Sequence, residues 1–210
     1  MKAVFGLGNP GTEYVLSRHN VGFQVIDLYR TVQRVKTKAR IQHTSLIYRT
    51  YDLLLVKPLT HMNQSGCAVQ SVLNAAGIDV EDAVVVFDDL DLPLGTMRLL
   101  PGGGPGTHNG MKSVIAKLGT ENVPRLRVGI APEDQPSDAA DFVLGHFGIE
   151  EWRAILPVLR RAVDAAETFR REGLEAAMNR YNRRTRPIAH GAATAIIETE
   201  EDEPPFLRRQ

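Results

Sequence analysis

An amide and an imidazole, Asn9 and His19, stand on either side of a glycine-rich turn whose residues 6–11 read Gly-Leu-Gly-Asn-Pro-Gly. An imidazole titrates near neutrality and can take a proton from a nucleophile, while an amide can donate to a carbonyl without carrying charge. Three further polar features fall where predicted elements begin or end. Asp88 follows the apolar run 83–87, Asn63 opens a helical stretch after His61-Met62, and His108-Asn109 opens another after a run of glycines. Singly each has an ordinary explanation, since asparagine caps helices and aspartate starts turns. Jointly, one histidine, one carboxylate and several amides make a general base, its orienting partner and neutral hydrogen-bond donors.

The nucleophiles present narrow the reaction. No Gly-x-Ser-x-Gly elbow occurs, no lysine stands beside these features, and Cys67 lies in an apolar helical pattern that reads as a buried, inert thiol. Water is the remaining nucleophile. Asp88, Asp89, Asp91, His19 and His108 could offer ligands to a metal that activates it, but no His-Glu-x-x-His or paired Cys/His spacing supports such a site. The expectation is general-base hydrolysis with no metal and no cofactor. Gly6, Gly8 and Gly11 also imitate the Gly-x-Gly-x-x-Gly of dinucleotide-binding folds, a fingerprint whose last glycine opens a helix and whose acid ends a second strand. Here no helical pattern directly follows Gly11, and the first acid at a suitable distance, Asp27, falls inside a helix.

These side chains need elements to carry them. Residues 2–7 form a short apolar strand that Gly8, Pro10 and Gly11 interrupt, and from Val21 to Val32 apolar residues recur at helical spacing with Asn20 as N-cap. His19 therefore sits just ahead of a helix, near the strand end that carries Asn9. Strands over 43–49 and 53–57 are joined by a Tyr51-Asp52 turn and so run antiparallel; a helix over 62–76 closes on Gly77. The apolar strand 83–87 ends on the acidic run 88–91, followed by a strand over 95–100, a helix over 109–118 and a half-buried strand over 125–130. Helices over 138–144, 150–171 and 174–181 complete the pattern. The fold class is α/β: a single domain, residues 1–186, with a twisted mixed central β-sheet flanked by α-helices. Beyond Pro187 small residues give way to acids at 198–203 and to Pro204-Pro205, which reads as a disordered tail over 187–210.

Composition sets outer limits. A chain of 210 residues with 43% hydrophobic and 24% charged residues is an ordinary globular one, able to bury roughly 70% of its unfolded surface. Its formal net charge is zero, so affinity for nucleic acid must come from local basic patches. One cysteine, no apolar run of spanning length and no signal-peptide pattern point to the cytoplasm and exclude a disulfide framework.

Five segments in register, residues 6–11 (GLGNPG), Arg18-His19-Asn20, Met62-Asn63-Gln64-Ser65-Gly66, residues 88–93 (DDLDLP) and Thr107-His108-Asn109-Gly110, closely resemble the motifs of bacterial peptidyl-tRNA hydrolases. The resemblance runs to about Tyr181. It implies a monomeric enzyme, with no membrane association, that cleaves the ester joining a peptide to the 3′ ribose of tRNA and so recycles tRNA after aborted translation. It further implies that His19 is the catalytic base and Asp88 its partner, that Asn9, Asn63 and Asn109 bind the tRNA 3′ end or peptide and position water or oxyanion, and that Tyr14 and Met62 line the substrate cleft.

The tRNA must be held by charge. Arg98, Lys112, Lys117, Arg125 and Arg127 cluster in the middle motifs, with Lys112, Lys117 and Arg127 the candidate phosphate contacts; Arg180, Arg183, Arg184 and Arg186 form a second basic group. The sequence departs from the family pattern at Pro105, where a histidine is usual, at Thr107, where a glycine is usual, and at Leu100, where many members carry a lysine. The alternative of a different class is a non-catalytic RNA-binding relative of the same fold, such as a splicing factor; the presence of Asn9, His19, Asp88 and Asn109 favours the enzyme.

Overall fold

The computed structural model describes residues 1–132 and 136–182. The expected tail over 187–210 and the cations Arg183, Arg184 and Arg186 lie outside the described residues.

Among the described residues seven strands form one mixed sheet: β1 (Lys2–Gly6), β2 (Arg40–Gln42), β3 (Ser45–Arg49), β4 (Leu53–Pro58), β5 (Ala83–Pro93), β6 (Met97–Leu100) and β7 (Arg125–Ala131), in the order β2-β3-β4-β1-β5-β7-β6. The four central strands are mutually parallel, and β2, β3 and β6 are antiparallel to their neighbours. Apolar runs such as Ala83 to Phe87 are unbroken because the central strands are covered on both faces. On one face Val4, Val84, Val86 and Leu126 pack against helices α1 (Val21–Val32), α5 (Ile149–Glu172) and α6 (Leu174–Tyr181). On the other, Phe5, Leu54, Val85 and Phe87 pack against α2 (Ser65–Ala76) and α3 (Asn109–Leu118). Helix α4 (Ala139–Leu144) is capped by Asp138, which accepts from Ala140 N at 2.8 Å and Asp141 N at 3.1 Å.

Chain direction reverses across β1, since the chain passes to β4 on one side and to β5 on the other. That switch point, at the carboxyl ends of the parallel strands, is where open α/β sheets bind ligands. The residues following β1 and β4, and the middle of β5, converge there.

Three local expectations change. The strand expected to stop at Phe87 continues to Pro93, with Asp88 opposite Val128 and Asp89 opposite Gly129, so Asp88 is held inside a ladder and not in a turn. An added edge strand, β2, pairs with β3 through a two-residue turn whose His43 and Thr44 take φ of 52° and 49°. Neither residue type signals such a turn, which usually takes Asn-Gly or Asp-Gly. Asn20 precedes α1 but makes no side-chain cap; its amide is used elsewhere.

Candidate active site

His19 lies in a short 3-10 turn, Arg18–Asn20, that runs directly into α1. Its Nδ1–H donates to Asp88, 2.9 Å from Oδ1 and 3.0 Å from Oδ2, and this leaves Nε2 as a nitrogen with a lone pair and no partner among the described residues. Asp88 is 2% exposed and also receives Nε2–H of His108 at 3.0 Å. The proton on His108 is assigned by its other nitrogen: Nδ1 accepts the amide of Met111 at 3.1 Å, as the cap of α3. Burial alone would raise the Asp88 pKa, but the hydrogen bonds of the two imidazoles, and their positive charge once protonated, hold it well below the usual carboxylate range. Burial alone would push the His19 imidazole down; the Asp88 carboxylate outweighs it and the pKa lies above the ordinary value of 6.5.

Asn9 ends the run that follows β1. Its Oδ1 accepts the amide of Met62 at 2.9 Å, so its Nδ2 is a donor with no partner among the described residues. Its backbone is clamped by the side chain of Asn20, whose Oδ1 accepts Asn9 N at 2.7 Å and whose Nδ2 donates to Asn9 O at 2.9 Å. The glycines around it serve close packing. A Cβ on Gly22 would come 2.3 Å from Leu7 N, and one on Gly6 would come 2.1 Å from Gly22 O, so the start of α1 presses against the end of β1. The α-helix after the turn begins only at Val21, so Gly11 does not open it and no α-helix N-terminus stands at the glycine turn, which removes the dinucleotide reading.

Arg18 anchors the His19 turn from the far side. Its guanidinium makes a two-pronged contact with Glu151, at 2.7 and 2.9 Å, donates to Phe142 O at 3.1 Å, and lies 4.1 Å from the centre of the Phe142 ring. The turn bearing the imidazole is thereby tied to α4 and α5.

These groups open on a cleft of about 880 Å³ whose walls include Asn9, His19, Met62, Asn63, Asp88, Asn109 and the glycine loop 102–106. Asn63 and Asn109 are exposed, and their amides make no hydrogen bond among the described residues. Met62 is buried beneath the cleft. Tyr14 sits half-buried in the 3-10 turn Thr12–Tyr14 and is not part of the cleft wall. Lys112 and Lys117 are exposed on α3, also outside it.

Two arginines expected among the basic cluster are occupied in the structure. Arg127 is paired through Nε with Asp89, and its Nη2 lies 3.7 Å from Asp91. Arg125 is 1% exposed and donates to the carbonyls of Val123, Gly104 and Glu121 at 3.0, 2.9 and 2.9 Å. It is a clamp for the glycine loop and is not available to a phosphate. Arg180 pairs with Glu172 at 2.9 and 3.0 Å.

His19, Asp88 and His108 lie close enough together to surround a cation. Their hydrogen bonds do not suit one: His108 must keep its proton on Nε2 because Nδ1 already accepts Met111 N–H, so Nε2 offers no lone pair. The arrangement instead fits a base whose tautomer is set by a carboxylate.

The sequence model of one family, described as peptidyl-tRNA hydrolase, matches residues 3–189. The chain belongs to the peptidyl-tRNA hydrolase family. A peptidyl-tRNA hydrolase of Chloroflexus aggregans is 45% identical over 189 residues, covering 87% of this chain and 99% of that protein. One of Alkaliphilus oremlandii is 41% identical over 186 residues, covering 87% of this chain and all of that protein. Among solved structures, the peptidyl-tRNA hydrolase of Acinetobacter baumannii superposes with a TM-score of 0.80 at 29% identity, covering 87% of this chain and 95% of that one.

In this member of the peptidyl-tRNA hydrolase family the expected pair His19 and Asp88 and the amides Asn9, Asn63 and Asn109 meet in one cleft. His108, expected only as a helix-opening residue or a metal ligand, is a second hydrogen-bond donor to Asp88; its place directly before Asn109 is the signal for it in the sequence. Cys67 is exposed, contrary to its expected burial, because Ala68, Val69, Val72 and Leu73 take the inward face of α2.

Proposed function

We propose that this chain hydrolyses the ester between a peptide, or an N-blocked amino acid, and the 3′ ribose of tRNA by general-base catalysis. The observation that carries this reading is the pairing of His19 Nδ1 with Asp88, which leaves Nε2 on the cleft with Asn9 Nδ2 uncommitted nearby. Nε2 takes a proton from water, and the resulting oxygen attacks the ester carbonyl. Asp88 stabilises the imidazolium that forms. Asn9 and Asn109 are neutral donors suited to the carbonyl oxygen as it gains charge, an effect worth about 10²–10³ in rate for one donor. Collapse of the tetrahedral intermediate breaks the bond to the ribose 3′ oxygen, which takes the proton back from His19. The products are free tRNA and a peptide carboxylate.

An ester is intrinsically more reactive than an amide, so a base worth about 10²–10⁴ with amide donors is a sufficient toolkit. A peptide of any sequence must be recognised through its backbone, and the uncharged amides of Asn63 and Asn109 fit that need. Lys112 and Lys117 are the exposed cations on α3 best suited to phosphates, whereas Arg127 would first have to leave Asp89. The reading includes a monomer acting in the cytoplasm; among the described residues no helix is long and apolar enough to cross a membrane.

The test is deacylation of an N-blocked aminoacyl-tRNA by the wild-type chain and by His19→Ala. Turnover that falls by orders of magnitude in the variant, with little change in KM, is expected. A wild-type chain that binds tRNA without turnover would return the non-catalytic alternative.

A further inference from the structure

Charge is distributed unevenly along this neutral chain. Between Leu28 and Ile78 there are seven cationic side chains and one acid, Asp52, and that acid is bound to Arg170 at 2.5 Å. The acid just before the segment, Asp27, is bound to Lys57 at 2.5 Å. Arg34, Lys36, Lys38 and Arg40 occupy alternate positions, are all exposed, and make no ion pair among the described residues. The strip that carries them is held to the body of the protein. Val35 packs on the core, its N donates to Arg30 O at 2.9 Å, and Arg40 lies in β2 opposite Ile47.

The strip is continuous with the cations already placed near the cleft. Lys117 on α3 accepts, through its carbonyl, a hydrogen bond from Gln70 of α2 at 2.6 Å; the next residue, Ser71, is 3.1 Å from His43 Nδ1 in the turn that ends β2. Helix α2, which lies between, contains no charged residue. The register Arg40, Ile47, Val56, Phe5 sets Arg40 three strand spacings, about 14 Å, from β1 and the switch point. A polyanion leaving the cleft past α3 thus meets an acid-free helix face and then four exposed cations that have no ion pair among the described residues.

We propose that Arg34, Lys36, Lys38 and Arg40 form a second tRNA-binding surface, which holds the phosphate backbone of the part of the tRNA that extends away from the 3′ end. This rests on the reading of peptidyl-tRNA as substrate. The strip contributes affinity and no chemistry, so it acts on KM and leaves kcat alone.

The experiment compares the full chain with Lys36→Glu/Lys38→Glu, using full-length N-blocked aminoacyl-tRNA and a short oligonucleotide carrying the same 3′ aminoacyl adenosine. For full-length tRNA the double variant should raise KM by about tenfold or more at 0.1 M salt, reduce the slope of log KM against log salt by about 1.8, and leave kcat unchanged. The oligonucleotide should be cleaved with the parent's KM. Unchanged KM and salt slope on full-length tRNA overturn the proposal, as does an equal loss on the oligonucleotide. A loss that disappears when Glu200, Glu201 and Glu203 are also changed to Gln overturns it too, because the strip would then be holding the acidic segment of its own chain away from the RNA. Fluorescence anisotropy with deacylated tRNA reads the strip even if the wild-type chain cleaves no ester, so failure of the strip and failure of the hydrolase reading are separable.

Discussion

His19 meets both carboxylate oxygens of Asp88 through one nitrogen, Nδ1, at 2.9 and 3.0 Å. The bond sets the tautomer, and on the proposed mechanism it also sets the pH at which His19 can accept a proton. Because Asp88 raises the His19 pKa above 6.5, the neutral form, which the proposed mechanism requires, becomes dominant only above that pH. The acidic limb of kcat/KM should therefore have its midpoint above 6.5. Asp88→Asn should move that midpoint down and lower kcat by about 10²–10⁴. A limb that stays in place in the variant would mean that another group titrates.

The same pair makes stability depend on pH in the opposite sense to activity. The raised His19 pKa contributes stability that is complete below about 6.5 and is lost as pH rises through the elevated value. The depressed Asp88 pKa contributes stability that is complete above about 3.9 and is lost as pH falls through the lowered value. The two contributions coexist between about pH 4 and 6.5. Thermal unfolding of wild type minus Asp88→Asn should show its largest difference in that window; a difference that grows above pH 8 would contradict it.

Asn20 holds Asn9 by its backbone at 2.7 and 2.9 Å. Asn20→Ala leaves a buried peptide N–H and C=O without partners and should cost about 1–3 kcal/mol in urea unfolding. Because Asn9 carries the uncommitted donor, kcat should fall more than KM rises. Loss of stability with kcat intact would make Asn20 a structural clamp alone.

Gly22 touches the backbone of Leu7, just past the end of β1, and of Val86 in β5, since an added Cβ would lie 2.3 Å from Leu7 N and 2.5 Å from Val86 O. Neither neighbour can rotate away. Gly22→Ala should destabilise by about 3 kcal/mol, read as a lower urea midpoint at unchanged m-value. A variant as stable as wild type would show that the start of α1 can shift away from β1.

Lys112 and Lys117 are exposed cations on the helix that begins at the cleft. Changing both to Gln should raise KM for tRNA substrate, leave kcat near its wild-type value, and reduce the salt slope by about 1.8. An unchanged slope would put the phosphate contacts elsewhere on the surface.

Much of this was legible in the order of residues, because the signals are local. Glycine and proline stop β1 before Asn9, helical spacing begins after His19, and unbroken apolar runs announce strands covered on both faces. Residue type and position at element ends supply a histidine, a carboxylate and several amides as candidates, while the choice of His19 as base and Asp88 as its partner comes from the resemblance to peptidyl-tRNA hydrolases. What sequence could not supply depends on contacts between distant segments. Asp88 reaches His19 across 69 positions and His108 across 20, and only the parallel placement of β1 beside β5 brings them together. The same holds for Arg125, which the fold turns onto the carbonyl of Gly104 in the glycine loop, and for Arg127, the expected phosphate contact, which it pairs with Asp89. Residue type determines what a side chain can donate or accept; the tertiary structure decided which partner reached it first.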